Sequence, residues 1–129
     1  MTDVVDTHAL VWFLEKNPRL STAARNALKD PSAKIVVPTI VLAEIHFLHA
    51  RGRIASDLAG ILTQLVPLAN CVIYALDKAV VQRLPTSLNI HDAIIVATAL
   101  VFRDMLGENT AIVSKDAQIT GSGLIGVIW

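Results

Sequence analysis

The sequence alternates short apolar runs with longer segments whose apolar residues recur at helical spacing. The short runs are typical of strands buried on both faces, and they lie at 2–6, 35–37, 70–75 and 110–114. Helical spacing covers 8–15, 21–29, 38–50, 55–66, a short segment after Asp77, and 91–102. Strands that alternate with helices predict an α/β fold, a three-layer α/β/α sandwich around a parallel sheet. We expect four to five strands, since 124–129 fits an edge strand.

Length and composition limit the class of protein. A chain of 129 residues is expected to form one domain over 1–129. Eleven basic residues balance eleven acidic ones, so no general electrostatic attraction to nucleic acid or membrane is expected. The charge-free stretch 58–76 contains Gln64, Pro67 and Asn70, and a helix, a turn and a strand explain it better than a membrane span does.

The single cysteine and the N-terminal residues indicate the compartment. Cys71 has no second cysteine to pair with, and its apolar neighbours predict a buried thiol in a reducing environment. Asp3 and Asp6 come too early for a cationic and apolar secretory signal. We therefore expect a soluble cytoplasmic protein.

Two acidic residues follow runs that are predicted to be strands. Asp6 comes directly after Val4 and Val5, and Asp116 comes shortly after Val113. Both are therefore expected at the carboxyl edge of the sheet, where open α/β sheets bind ligands. Taken alone, Asp6 could instead cap the following helix, and Asp116 could be an ordinary turn residue.

Glu44 and Asp92 lie on the apolar faces of predicted helices. Their neighbours one turn away on the same face are Ile40, Val41, Phe47 and Leu48 for Glu44, and Ile95, Val96 and Ala99 for Asp92. A buried carboxylate is costly unless it is paired, protonated or bound to metal. The alternatives are an ion pair with arginine or lysine for Glu44, and helix capping for Asp92.

All four acids could converge on one edge of the sheet, and such a cluster needs cations to stay ionised. Ligation by oxygen alone indicates Mg²⁺ or Mn²⁺. A carboxylate-bound metal suits phosphodiester hydrolysis, because it lowers the pKa of bound water and stabilises the transition state. Thr7 and Ser114 are candidate hydroxyl donors that orient Asp6 and Asp116, although bonds to local backbone are an equally good explanation for each.

Four sequence blocks, in this order and spacing, resemble the PIN-domain family, and within it the VapC-type toxins of bacterial and archaeal toxin–antitoxin pairs. The blocks are VVDTHAL, VPTIVLAEI, HDAIIVATAL and AIVSKDAQI, which together extend from residue 4 to residue 119. The resemblance implies a metal-dependent endoribonuclease whose catalytic metal ligands are Asp6, Glu44, Asp92 and Asp116. Ser114 stands where the family often has threonine, which keeps the hydroxyl. The resemblance also implies homodimers and an antitoxin partner whose segment lies in an apolar groove and blocks the site.

The chain departs from RNA-cutting members of that family, which often carry a basic surplus. Its charges balance, and basic residues cluster only locally, at Arg51 and Arg53 and at Lys115. These three residues could line a path for RNA or form an ordinary solvated surface. Contact with phosphates would make the affinity for RNA depend on salt.

Two other functions compete with RNA hydrolysis. A phospho-acceptor receiver domain, which is a signalling module, would need adjacent acids after the first strand and an acceptor aspartate ending the third. Here Thr7 follows Asp6, Asp77 lies beyond the third strand, and Glu44 would have no role. A non-catalytic PIN-like scaffold would not need all four acids. The sequence therefore predicts a Mg²⁺- or Mn²⁺-dependent endoribonuclease, the toxin of a type II toxin–antitoxin pair.

Overall fold

Five parallel strands form a single sheet in the computed structural model, which describes residues 1–129. The strands are β1 (Thr2–Val5), β2 (Lys34–Pro38), β3 (Cys71–Tyr74), β4 (Thr110–Val113) and β5 (Gly126–Ile128). Their order across the sheet is β3-β2-β1-β4-β5, and every neighbouring pair is parallel. The predicted parallel sheet is confirmed, including the fifth strand at the edge.

Seven helices connect the strands and cover both sides of the sheet, which confirms the three-layer α/β/α prediction. They are α1 (Thr7–Leu14), α2 (Thr22–Lys29), α3 (Thr39–Ala50), α4 (Leu58–Leu65), α5 (Lys78–Val81), α6 (Ile90–Leu100) and α7 (Ala117–Ser122). A π-helical turn over Val101–Met105 extends α6. None of these helices combines the length and the apolar character that crossing a membrane would require.

The segment after β4 forms a helix that the strand and helix patterns of the sequence do not predict. Helix α7 occupies this region, because the Asp116 side chain caps its first turn. Gly123 ends the helix with a φ of 66°, a left-handed conformation that glycine adopts without steric cost.

The strand order determines where a ligand can bind. The chain moves outward from β1 to β2 and β3, and then crosses to β4 on the other side of β1, so the order reverses between β1 and β4. In open α/β sheets, the crevice at the carboxyl ends of the strands at such a reversal is the ligand site. A receiver-type sheet places its third strand beside the first, on the side of the fourth. Here β3 is an edge strand next to β2, so the receiver alternative is wrong.

The core lies against the central strands, where Val4, Val36 and Ile112 are fully buried. Helix α6 packs against β1, β2 and β4, and residues 93–99 of this helix are all buried. A helix that connects two parallel strands runs antiparallel to them, so its N-terminus lies at their carboxyl edge. The packing of α6 therefore brings its first turn, which contains Asp92, towards the ends of β1 and β4.

Asp3 is a buried acid that does not belong to this edge. It lies near the start of β1, only 2% of it is exposed, and its Oδ1 has no hydrogen-bond partner. Burial raises the pKa of Asp3 from 3.8 to about 6; the N-terminal ammonium partly opposes this rise, and the charge of Asp30 adds to it. Asp3 therefore affects the stability of the fold rather than the chemistry of the site.

We expect Asp3→Asn to stabilise the protein above about pH 6. Folding raises the pKa of Asp3, so the folded state holds this proton more tightly than the unfolded state does. The resulting gain in the free energy of unfolding is fully present below about pH 4 and is lost as the pH rises through 6. Asparagine does not ionise, so it avoids a cost on the order of 2 to 3 kcal/mol at neutral pH. Urea unfolding near pH 4 and pH 7.5 measures the difference, with Asp57→Asn as control, because Asp57 is exposed and its charge is not among those that act on Asp3. An equal effect of Asp3→Asn at both values would contradict this expectation.

Candidate active site at the carboxyl edge of the sheet

Asp6 directly follows β1 and begins α1. Its Oδ1 accepts a hydrogen bond from the backbone N–H of Ala9 at 2.9 Å, so the capping role considered above is present. Asp6 is 8% exposed. Burial raises its pKa; hydrogen bonds from Ser114 and Ala9 and the charge of His8 oppose the rise, and the charge of Asp116 adds to it. Asp6 is therefore a capping residue through Oδ1, and its Oδ2 has a different partner, Ser114.

Ser114 links Asp6 to Asp116. It is fully buried just beyond β4, and its hydroxyl donates to Asp6 Oδ2. The Oγ of Ser114 in turn accepts a hydrogen bond from the backbone N–H of Asp116 at 2.9 Å. Val5 and Val113 are paired across the sheet, so the residues that follow them emerge side by side. Thr7, the other hydroxyl considered, is buried, but its Oγ1 has no partner. The structure thus pairs Ser114, and not Thr7, with these acids.

Asp116 begins α7 and faces the other acids. Its Oδ1 accepts hydrogen bonds from the backbone N–H groups of Gln118 at 2.8 Å and Ile119 at 3.1 Å. The charge of Asp116 raises the pKa of both Asp6 and Asp92. Like charges affect each other in this way only at short range. Asp6, Asp92 and Asp116 therefore form one electrostatic group, although they come from distant parts of the chain.

Asn89 orients Asp92. It is the N-cap of α6: its Oδ1 accepts from the Asp92 backbone N–H at 3.0 Å, and its Nδ2 donates to Asp92 Oδ2 at 2.7 Å. Asp92 is therefore not the N-cap itself, but it does lie in the first turn of α6, where the helix dipole favours an acid, so this part of the alternative holds. Burial and the charge of Asp116 raise the pKa of Asp92, while the bond from Asn89 and the charge of His91 lower it. The spacing of a cap residue and an acid three positions later is a known helix-start pattern, and it could have identified Asn89 from the sequence.

Glu44 approaches this group from α3 but does not join it directly. Its Oε2 lies 3.7 Å from His91 Nδ1, and no arginine or lysine forms a salt bridge with it, so the predicted alternative pairing is wrong. Glu44 lines a separate, largely apolar groove of about 400 Å³, together with residues that include Phe47, Arg51 and His91. His91 precedes Asp92 in the first turn of α6, so this contact places Glu44 beside that turn.

The donors fit a hard divalent cation, although no three acidic, histidine or cysteine side chains converge closely enough to form a complete metal site. Asp6, Asp92 and Asp116 offer only oxygen, and no lysine or arginine forms a salt bridge with any of them. Mg²⁺ keeps several water ligands and is usually held by one or two protein carboxylates. A partial oxygen shell with uncompensated negative charge is therefore a suitable environment for this ion.

The sequence analysis did not identify an aromatic cluster beside the acids. The Trp12 ring lies 5.7 Å from that of His8 and 5.9 Å from that of Trp129, measured between centroids. His8 and Trp12 also line a cavity of about 340 Å³ with Asp6, Lys115 and Asp116. The only signal in the sequence is the spacing of His8 and Trp12, which lie one turn apart on the same face of α1.

Comparisons with known proteins agree with this fold. The family model described as PIN domain matches residues 4–120. No curated protein matches the chain significantly. A chain in the crystal structure of VapBC2 from Rickettsia felis, bound to a DNA fragment from the promoter, is similar with a TM-score of 0.66 and 17% identity, over 98% of this chain and 97% of that one. At this identity the likeness concerns the fold alone. Because the family model covers most of the sequence, the chain belongs to the PIN domain family.

Proposed function

We propose that the chain is a Mg²⁺- or Mn²⁺-dependent endoribonuclease and the toxin of a type II toxin–antitoxin pair. One observation carries the proposal: Asp6 and Asp116 line one cavity at the carboxyl edge of the sheet and are joined through Ser114, and no lysine or arginine bridges them. Burial, with the charge of Asp116 adding to it, raises the pKa of Asp6 and of Asp92. PIN domains are generally nucleases, which supports hydrolysis of phosphodiester bonds. The strand-order reversal at β1 and β4 supports this edge as the site.

Each acid has a role in this proposal. Asp6, Asp92 and Asp116 would hold the ion, with Glu44 as the fourth carboxylate. A bound Mg²⁺ or Mn²⁺ supplies a water of lowered pKa and neutralises charge on the phosphate. The chain's own residues keep the carboxylates oriented: Ser114 donates to Asp6, and the capping bonds described above fix Asp92 and Asp116.

Lys115 adds a cation to the proposed site. It lines the same cavity as Asp6 and Asp116, where its ammonium can contact a phosphate of the RNA. Thr7 follows Asp6 directly, but its buried Oγ1 bonds to neither acid, so the orienting role in this proposal belongs to Ser114.

The groove beside Glu44 supports an antitoxin partner. Ile40, Ala43, Phe47 and Leu48 line it, and 57% of Phe47 is exposed. An apolar antitoxin segment would remove these side chains from water and restrict access past Glu44. The similar chain from Rickettsia felis belongs to a VapBC2 structure, and we propose that this chain likewise acts with a cognate antitoxin, as a homodimer in the cytoplasm.

RNA cleavage by the purified protein should require divalent metal. Excess EDTA is expected to abolish cleavage of a loop-containing RNA, and Mg²⁺ or Mn²⁺ should restore it, because the water to be activated lies on the ion. Separation of the products on a denaturing gel measures the effect. Asp6→Asn, prepared in parallel, reveals any co-purifying nuclease. Cleavage that persists in EDTA would contradict the proposal, and no cleavage with either metal would favour the non-catalytic PIN-like scaffold.

A further inference from the structure

An aromatic and cationic surface lies beside the candidate active site. The Trp12 ring is inclined by 53° to His8 and by 57° to Trp129, and the Arg19 guanidinium lies 5.9 Å from the Trp12 ring centre. We call His8, Trp12, Arg19 and Trp129 the tryptophan cluster. The rings are tilted rather than stacked in parallel, so they do not cover each other completely.

Packing against the core accounts for only part of this surface. Both tryptophans contact the core but are only partly buried, and His8 and Arg19 are exposed. Neither Arg19 nor the neighbouring Lys115 forms a salt bridge. A cluster that served stability alone would bury its rings and pair its charges, whereas this one leaves aromatic surface and two cations accessible to solvent.

Two members of the cluster share a cavity with two of the acids. His8 and Trp12 line it together with Asp6, Lys115 and Asp116, around about 340 Å³. This volume lies within the range of small-molecule sites in proteins. A nucleotide whose phosphate approaches Asp6 and Asp116 therefore finds an aromatic surface and a lysine within the same cavity.

We propose that His8 and Trp12, with Trp129 as a positioning residue behind Trp12, form a stacking subsite for an unpaired base next to the scissile phosphate. This inference rests on the ribonuclease function proposed above. Aromatic side chains bind bases through their faces and with little sequence preference. Inside a duplex both faces of a base are covered by its neighbours, so the subsite selects single-stranded segments and loops.

The subsite also explains how a chain without net charge can hold RNA. Stacking supplies affinity that does not depend on a broad basic surface. Arg19 lies over the Trp12 ring and Lys115 lines the cavity, and neither forms a salt bridge, so each can contact a phosphate flanking the stacked nucleotide. Binding should therefore be less sensitive to salt than it is for proteins that rely on many phosphate contacts.

Intrinsic fluorescence reports on the cluster directly, because it contains both tryptophans of the chain. Trp129→Phe leaves Trp12 as the single indole. In EDTA, where cleavage is blocked, a single-stranded RNA hexamer is expected to quench Trp12. A hexamer of ribose phosphate without bases, and a duplex of the same sequence, should not. A DNA hexamer of matching sequence tests whether the 2′-hydroxyl contributes.

Substitutions separate stacking from packing. Trp12→Leu should weaken the binding of a labelled single-stranded hexamer, measured by fluorescence anisotropy, by roughly 5- to 150-fold. Trp12→Phe should recover most of this affinity, since it keeps an aromatic face. With metal present, Trp12→Leu should raise KM for single-stranded RNA and leave kcat nearly unchanged. Asp6→Asn should show the opposite pattern, losing kcat while RNA still binds.

The outcomes distinguish this subsite from the nuclease function. Equal quenching by the base-free hexamer, or equal affinity of Trp12→Leu and parent, would overturn the subsite while leaving RNA cleavage untouched. Base-dependent quenching in a protein that never cleaves RNA would support the subsite and reject the nuclease. Should Trp12→Leu fail to fold, the contrast between hexamers with and without bases still decides. Quenching by an antitoxin peptide but by no oligonucleotide would also overturn the inference.

Discussion

Asp6→Asn should lower the rate of RNA cleavage at least about a hundred-fold, because removal of a proposed metal ligand should cost more than the 10- to 100-fold typical of residues that only orient ligands. Asparagine has the size of aspartate and can still accept the capping bond from Ala9, so the fold should persist. Burial raises the pKa of Asp6 and the charge of Asp116 adds to this rise, so a neutral amide should also raise the melting temperature in metal-free buffer. Single-turnover cleavage and thermal melting measure the two effects.

The matched control for this variant is Asp104→Asn. Asp104 is an exposed acid in the π-helical turn, paired with Arg103 and remote from the sheet edge. The Asp104→Asn variant should cleave RNA at the parent rate. If Asp6→Asn retained more than about a tenth of the parent rate, Asp6 would not be a ligand of an essential ion.

Glu44→Gln should reduce cleavage to a similar extent, about a hundred-fold or more. This substitution tests the acid that stands apart from the others, since Glu44 contacts His91 rather than Asp6, Asp92 or Asp116. The amide keeps the size of the side chain but removes the charge that would attract a cation. Initial rates on the same RNA at saturating Mg²⁺ measure the loss.

His91→Gln distinguishes a ligand from a positioning residue. If Glu44 acts on the ion, the loss of its histidine partner should cost less than about tenfold. If Glu44 only holds the first turn of α6 through His91, the two variants should lose activity equally. Cleavage by Glu44→Gln at the parent rate would remove Glu44 from the proposed ligands.

The sheet edge could be predicted because its signals are local in the sequence. Asp6 and Asp116 each follow a short apolar strand, and the carboxyl ends of parallel strands necessarily lie on one side. The apolar helix face around Asp92 predicted a partly buried acid, and burial does raise the pKa of Asp92. These inferences needed only strand ends and helix periodicity.

Contacts between distant segments could not be predicted in this way. Trp12 and Trp129 come from opposite ends of the chain, and they meet only because β5 pairs with β4 next to β1. The contact of Glu44 with His91 likewise depends on how α3 packs against α6. Helix α7 was missed because glycine and threonine weaken helix propensity, while the cap at Asp116 and the packing of buried Ile119 compensate for it.

Metal binding in the absence of RNA tests the central claim, that distant acids share a cation at the sheet edge. Titration with Mn²⁺, followed by the electron paramagnetic resonance signal of the free ion, measures binding without relying on catalysis. The parent protein should take up Mn²⁺ saturably, Mg²⁺ should compete for the same site, and Asp6→Asn should bind far more weakly. No uptake by the folded parent, or equal uptake by parent and Asp6→Asn, would contradict the claim.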